Sequence, residues 1–207
     1  MAKVKICGIT NKEDAMWVAN LAADYLGMVF AKESNRSVSE KTAQEIAEAL
    51  PPYIEKVGLF VNEEPKRVEK ILGQCGLNLL QFHGDETPEY CQQFKGKAKI
   101  IKAFRIKDEE SLALIPQYDV DFYLLDAFVE DQPGGTGTTF NWDLALRAKE
   151  FGKPIFLAGG LNPDNIIEAI KKVEPYAVDV SSGVEASPRR KNVDLMQDFI
   201  NKVVKVG

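Results

Sequence analysis

A short apolar run at residues 4–6 ends on Cys7, and the turn Gly8-Ile9-Thr10-Asn11 then opens a helical pattern. A thiol at the tip of a strand can serve as a base once it has lost its proton. By itself Cys7 fits equally well as a small buried hydrophobe, the commonest fate of a free cysteine. The balance is tipped by the residues that end the other apolar runs. Asp126 closes Phe122-Tyr123-Leu124-Leu125, where a partly desolvated carboxyl suits a general acid. A lone Asp in such a place is more often a cap or an ion-pair partner. A thiol and a carboxyl at the ends of two runs together supply a base and an acid for one proton-transfer reaction. Gln81 and His83 flank Phe82 at the end of a further run, and His83 is the only histidine. It fits a substrate hydrogen bond about as well as a structural one. Arg36 lies in the polar loop Ser34-Asn35-Arg36-Ser37, and its planar fork matches a carboxylate.

These residues need a frame that gathers strand ends. Eight apolar runs, at residues 4–6, 25–30, 56–61, 79–82, 99–104, 122–125, 155–158 and 177–180, are each followed by a stretch that can be helical. Asn11 and Ser39 are natural N-caps, with Asp14 and Thr42 three positions on. Pro65, Pro88 and Pro163 suit first helical turns, and Asn162 is a cap before the last of these. Later helices are expected over 109–115, 142–151, 163–173 and 193–204. Regular strand–helix alternation means a parallel sheet. An open doubly wound sheet usually carries a dinucleotide loop after its first strand, and no such glycine pattern follows Cys7. Gly134-Gly135-Thr136-Gly137 lacks the Gly-Lys-Ser/Thr of a P-loop. The expected fold is therefore α/β: a (βα)8 TIM barrel of eight parallel strands, one domain over residues 1–207.

In such a barrel the site forms at the C-terminal strand ends, and the loops after strands seven and eight often hold phosphate. Those loops are Gly159-Gly160 and, just after Asp179, Ser181-Ser182-Gly183. One glycine pair would simply turn a corner. Two loops of small residues at the right two strands favour an anion held by backbone N–H groups. The glycines at 134–137 would form a loop able to close over a ligand.

Composition narrows the partners. The chain has 207 residues, 45% hydrophobic and 28% charged, with net charge −5. No basic block supports nucleic-acid binding, and no run approaches a membrane span. The three cysteines, Cys7, Cys75 and Cys91, lack metal-ligand spacing and fit a reducing cytoplasm. Cys75 and Cys91 are expected to be packing residues.

Taken in order, K-I-C-G-I-T at 5–10, S-N-R-S-V-S at 34–39, V-G-L-F-V-N at 57–62 and Q-F-H-G at 81–84 resemble the phosphoribosylanthranilate isomerase family of tryptophan biosynthesis. The likeness continues through L-L-D at 124–126, P-G-G-T-G-T-T-F at 133–140, L-A-G-G-L-N-P-D-N at 157–165 and V-D-V-S-S-G-V-E at 178–185. It implies an Amadori rearrangement of N-(5-phosphoribosyl)anthranilate to 1-(2-carboxyphenylamino)-1-deoxyribulose 5-phosphate. By the same resemblance Asp126 is the general acid and Cys7 the general base, and Arg36 holds the anthranilate carboxylate. Gln81, His83 and Asp179 contact the rest of the substrate, while Gly159, Gly160, Ser181, Ser182 and Gly183 hold the phosphate. No cofactor or metal is implied, and the chain would act as a monomer or homodimer in the cytoplasm. Where the family often carries a proline after Phe30, this chain runs Ala31-Lys32-Glu33, so the loop bearing Arg36 is expected to be looser.

Two rival readings are weaker. Indoleglycerol-phosphate synthase shares the barrel and phosphate loops and uses a catalytic lysine. Lys5 is available here, but the longer N-terminal extension of that family is missing. A phosphosugar-binding protein without catalysis would keep the glycine and serine loops but would not need Cys7 and Asp126.

Overall fold

The computed structural model describes residues 1–127 and 142–206. Eight parallel strands close into a barrel in sequential order: β1 (Lys3–Cys7), β2 (Tyr25–Val29), β3 (Glu55–Phe60), β4 (Leu79–Phe82), β5 (Lys99–Ile106), β6 (Phe122–Ala127), β7 (Ile155–Leu157) and β8 (Ala177–Val180). Closure is set by β1 pairing with β8, with Lys5 opposite Asp179. A small antiparallel ribbon of β9 (Glu185–Ser187) and β10 (Arg190–Lys191) follows the barrel. The loop expected around 134–137 lies outside the described residues.

The helices are α1 (Lys12–Asn20), α2 (Glu40–Ala49), α3 (Pro65–Gln74), α4 (Pro88–Gln92), α5 (Trp142–Lys149), α6 (Ile166–Val173) and α7 (Val193–Val206). Asn11 Oδ1 accepts from the Asp14 N–H at 2.8 Å and Ser39 Oγ from the Thr42 N–H at 3.0 Å. Each satisfies a donor that the first helical turn leaves open. Pro65 and Pro88 stand in their first turns as expected. Cys75 caps α3 and Cys91 lies in α4, both buried in the main core.

Two expected helices differ. No α-helix follows β5, only single 3-10 turns at Glu110–Leu112 and Ile115–Gln117. Pro116 lacks a donor and disfavours the helical conformation at Ile115. Ser111 Oγ meanwhile accepts from the Lys107 and Asp108 N–H groups. The helix expected from Pro163 begins at Ile166 instead. Asn162 Oδ1 accepts from the N–H groups of Asp164 and Asn165, so the intervening residues form a side-chain-closed turn before the helix starts.

Alternation along the strands sorts the side chains. One large core lies between strands and helices and includes Val4, Ile6, Leu26, Leu80 and Leu125. Tyr25, Val57, Leu79, Ile101, Phe122, Leu124 and Phe156 form a second cluster that fills the barrel interior. Residues in step with the second set continue upward to the C-terminal ends, namely Lys5 and Cys7 on β1, Gln81 and His83 after Leu79, and Asp126 after Leu124.

Candidate active site

A cavity at the C-terminal end of the barrel encloses about 1030 Å³, counting its open mouth. It is lined by Cys7, Arg36, Gln81, His83, Asp126, Gly159, Gly160, Asp179, Ser181 and Ser182. Residues picked out from six separate chain segments thus meet at one mouth. Gly183 is not among the lining residues. A Cβ at Gly183 would collide with the Leu161 carbonyl oxygen, so this glycine lets the loops after β7 and β8 lie against each other.

Cys7 is buried beside Val29, Ala31 and Leu59. Burial pushes its thiol above the ordinary value, with Lys5 and Lys191 pulling against that shift and Asp179 adding to it. Lys5, fully buried, donates to Asp179 Oδ2 at 2.7 Å. Burial alone would lower the Lys5 ammonium, but the Asp179 carboxylate and the Cys7 sulfur outweigh it and raise the lysine. The other Asp179 oxygen, Oδ1, is buried without a hydrogen-bond partner among the described residues, and so is Oε1 of Gln81. An unmet buried acceptor costs about 1–3 kcal/mol. Both belong to cavity-lining residues, where a ligand's hydroxyl or amine can supply the donor.

Across the mouth, Gln81 Nε2 lies 2.9 Å from His83 Nδ1, and His83 Nε2 lies 3.2 Å from Asp126 Oδ2. His83 therefore stands between Gln81 and Asp126 while also lining the cavity.

Arg36 is fastened more firmly than the missing proline suggested. Its Nε and one terminal nitrogen each donate at 2.7 Å to the two oxygens of Glu185. Its backbone N–H meets Ser34 Oγ, and Ser37 bridges to Val29. Arg189 donates to the carbonyls of Asn35 and Ser37. Glu185 also accepts from Lys191 Nζ at 3.0 Å, and Lys191 donates to the Ser181 carbonyl at 2.9 Å. A charged chain thus links Arg36 to the loop after β8. Burial pushes the Glu185 carboxyl up, but bonds and charge from Arg36 and Lys191 outweigh it and hold it below its ordinary value. The Glu185 bond is the main reason the Arg36 guanidinium is raised. Lys191 is itself lowered by burial, which Glu185 only partly offsets.

Glu185 and Lys191 escaped the sequence reading as site residues. Glu185 stood in the quoted V-E motif, which was the one available signal. Arg105 also lines the cavity, and its position beside Asp126 in the β5–β6 register was not visible from its charged neighbourhood alone.

Gly159 and Gly160 both adopt positive φ, +84° and +65°, a region open to glycine without strain. Among the described residues their N–H groups make no backbone hydrogen bond. They are donors available to an anion beside Ser181 and Ser182.

A family model for N-(5'phosphoribosyl)anthranilate (PRA) isomerase matches residues 4–202. The N-(5'-phosphoribosyl)anthranilate isomerase of Geobacter sulfurreducens is 51% identical over 202 residues, 98% of each chain. The crystal structure of the phosphoribosyl anthranilate isomerase of Thermotoga maritima is 40% identical, with a TM-score of 0.94, covering 99% of this chain and all of that one. A further phosphoribosyl anthranilate isomerase, solved with reduced 1-(o-carboxyphenylamino)-1-deoxyribulose 5-phosphate, is 38% identical with a TM-score of 0.90, covering 99% of this chain and 100% of that one. With its closed eight-strand barrel, its gathered thiol and carboxyl and these matches along almost its whole length, the chain belongs to the N-(5'-phosphoribosyl)anthranilate isomerase family.

Proposed function

We propose that this chain isomerises N-(5'-phosphoribosyl)anthranilate to 1-(o-carboxyphenylamino)-1-deoxyribulose 5-phosphate, a step of tryptophan biosynthesis. The observation that carries the reading is the single cavity lined by Cys7, Asp126 and both glycine and serine loops. The Asp126 carboxyl gives its proton to the furanose ring oxygen. The C1–O bond breaks toward that oxygen while the anilino nitrogen's lone pair forms C1=N. The Cys7 thiolate then removes the proton from C2, and the resulting enolamine tautomerises to the ketone. Acid and base reach the sugar from β6 and β1, so neither must move between the two steps.

The phosphate is held by the N–H groups of Gly159 and Gly160 with Ser181 and Ser182. Gly183 serves that cradle by letting its two loops touch. Arg36, with Nε and Nη2 donating to Glu185 and Nη1 to Asn35 Oδ1 at 3.2 Å, keeps further N–H donors for the anthranilate carboxylate. The unmet acceptors Asp179 Oδ1 and Gln81 Oε1 take hydrogen bonds from sugar hydroxyls and the substrate amine.

Every group used here comes from one chain, so the reaction is complete in a monomer, and a homodimer would carry two independent sites. One Thermotoga maritima relative is a dimeric phosphoribosylanthranilate isomerase. Among the described residues no helix is long and apolar enough to cross a membrane, and the cytoplasm is the proposed compartment.

The test is turnover of substrate generated in situ, followed by anthranilate fluorescence. Cys7→Ser and Asp126→Asn should each lower the rate at least about a hundredfold while still binding reduced product analogue, with unchanged circular dichroism. Normal turnover by either folded variant would remove that residue from the mechanism.

A further inference from the structure

His83 is oriented by two neighbours. On one side Gln81 Nε2 stands 2.9 Å from Nδ1. An amide nitrogen can only donate, so Nδ1 must accept and the neutral ring must carry its proton on Nε2. On the other side that Nε2 lies 3.2 Å from Asp126 Oδ2. Gln81 is fully buried on β4.

We infer that His83 is a positioning residue for Asp126, holding an Nε2–H donor against Oδ2 in a tautomer dictated by Gln81. The inference rests on the proposed role of Asp126 as acid. An acid whose Oδ2 faces an N–H donor carries its own proton on Oδ1. When that proton passes to the ring oxygen, the negative charge left on the carboxylate meets a donor already in place. At 3.2 Å the contact is looser than an aligned charge-assisted hydrogen bond and would tighten into one as charge develops. Donors aligned before the charge appears are the usual source of electrostatic catalysis. The arrangement would also keep the single imidazole from competing as a base, since its free lone pair at Nδ1 is occupied by Gln81.

Because His83 is the only histidine, its ring nitrogens can be observed without assignment in the full-length chain labelled with ¹⁵N-histidine. At mildly alkaline pH, wild type should show a neutral ring protonated on Nε2. Gln81→Glu replaces the amide donor by an acceptor and should move the proton to Nδ1. That variant should lose at least about tenfold in kcat. His83→Asn, whose amide can still donate toward Asp126, should retain more activity than His83→Ala.

Protonation on Nδ1 in wild type would overturn the inference. So would retention of the Nε2 proton in Gln81→Glu, or a His83→Ala variant that raises KM with kcat unchanged. If Gln81→Glu does not fold, the wild-type spectrum and the His83 pair decide. Failure of the underlying reading looks different: Asp126→Asn would then turn over normally, whatever the tautomer.

Discussion

Glu185→Gln removes a charge that two cations share. The wild-type carboxylate accepts from Arg36 twice at 2.7 Å and from Lys191 at 3.0 Å, and its side chain is only 5% exposed. Charge-assisted bonds contribute about 1.5–3 kcal/mol each, though not additively, and stripping one partner from a buried pair costs about 3–5 kcal/mol. The substituted amide would keep one acceptor oxygen, and the Arg36 side chain, at 14% exposure, would recover some hydration. The expected loss is therefore about 3 kcal/mol, read as a shift of the urea midpoint by roughly 1–2 M at typical slopes.

The loss has a pH signature. Glu185 is held below its ordinary value in the folded chain, so its stabilisation is fully present above the unfolded carboxyl value, about 4.3. It disappears as pH falls through the lower folded value. Wild type and variant should differ most near neutrality and converge in acid. In catalysis the freed Arg36 fork should raise KM at least about tenfold, with kcat less affected. A stability change below about 1 kcal/mol would mean that the cluster behaves as an exposed ion pair. An unchanged KM would uncouple Glu185 from substrate binding.

Two glycines give steric tests. Gly183→Ala would drive a Cβ into the Leu161 carbonyl oxygen, forcing the loops after β7 and β8 apart. KM should rise at least about tenfold and competitive inhibition by inorganic phosphate should weaken, and an unchanged inhibition constant would refute the role of these loops as cradle. Gly27→Ala would set a Cβ 2.8 Å from Cys7 Sγ, displacing the thiol at a cost of about 1–3 kcal/mol in overpacking. It should lower kcat with little change in KM, and normal kcat in a folded variant would mean that the position of the thiol does not limit the reaction.

The parts of this molecule legible in sequence are those fixed by short-range rules. Apolar runs put Cys7, Gln81, His83 and Asp126 at strand ends, and the C-terminal ends of barrel strands are where the cavity forms. Caps at Asn11 and Ser39 followed from a side chain reaching its own helix three residues on. The helix expected after β5 failed because Ser111 and Pro116 offer local alternatives that a periodic pattern does not weigh. The pairing of charges was not legible at all. Lys5 meets Asp179 across 174 residues, and Arg36 meets Glu185 across 149. Only closure of β1 on β8 brings those partners together.

That closure also explains why so many charges lie at one mouth. Lys5 is matched by Asp179, Arg36 and Lys191 share Glu185, and Asp126 faces His83. A ligand with an anion at each end would be expected to meet bare cations, yet these cations arrive already engaged. Pairing fixes their geometry before binding, so little side-chain entropy remains to be lost when substrate enters. It also leaves the charge balance of Lys5, Arg36, Lys191, Asp179 and Glu185 one positive unit in excess while Cys7 is a thiol. Forming the thiolate cancels that excess. The base form of Cys7 is thus opposed by burial and by Asp179 and favoured by Lys5 and Lys191, and removing either lysine's charge should make the thiolate harder to form.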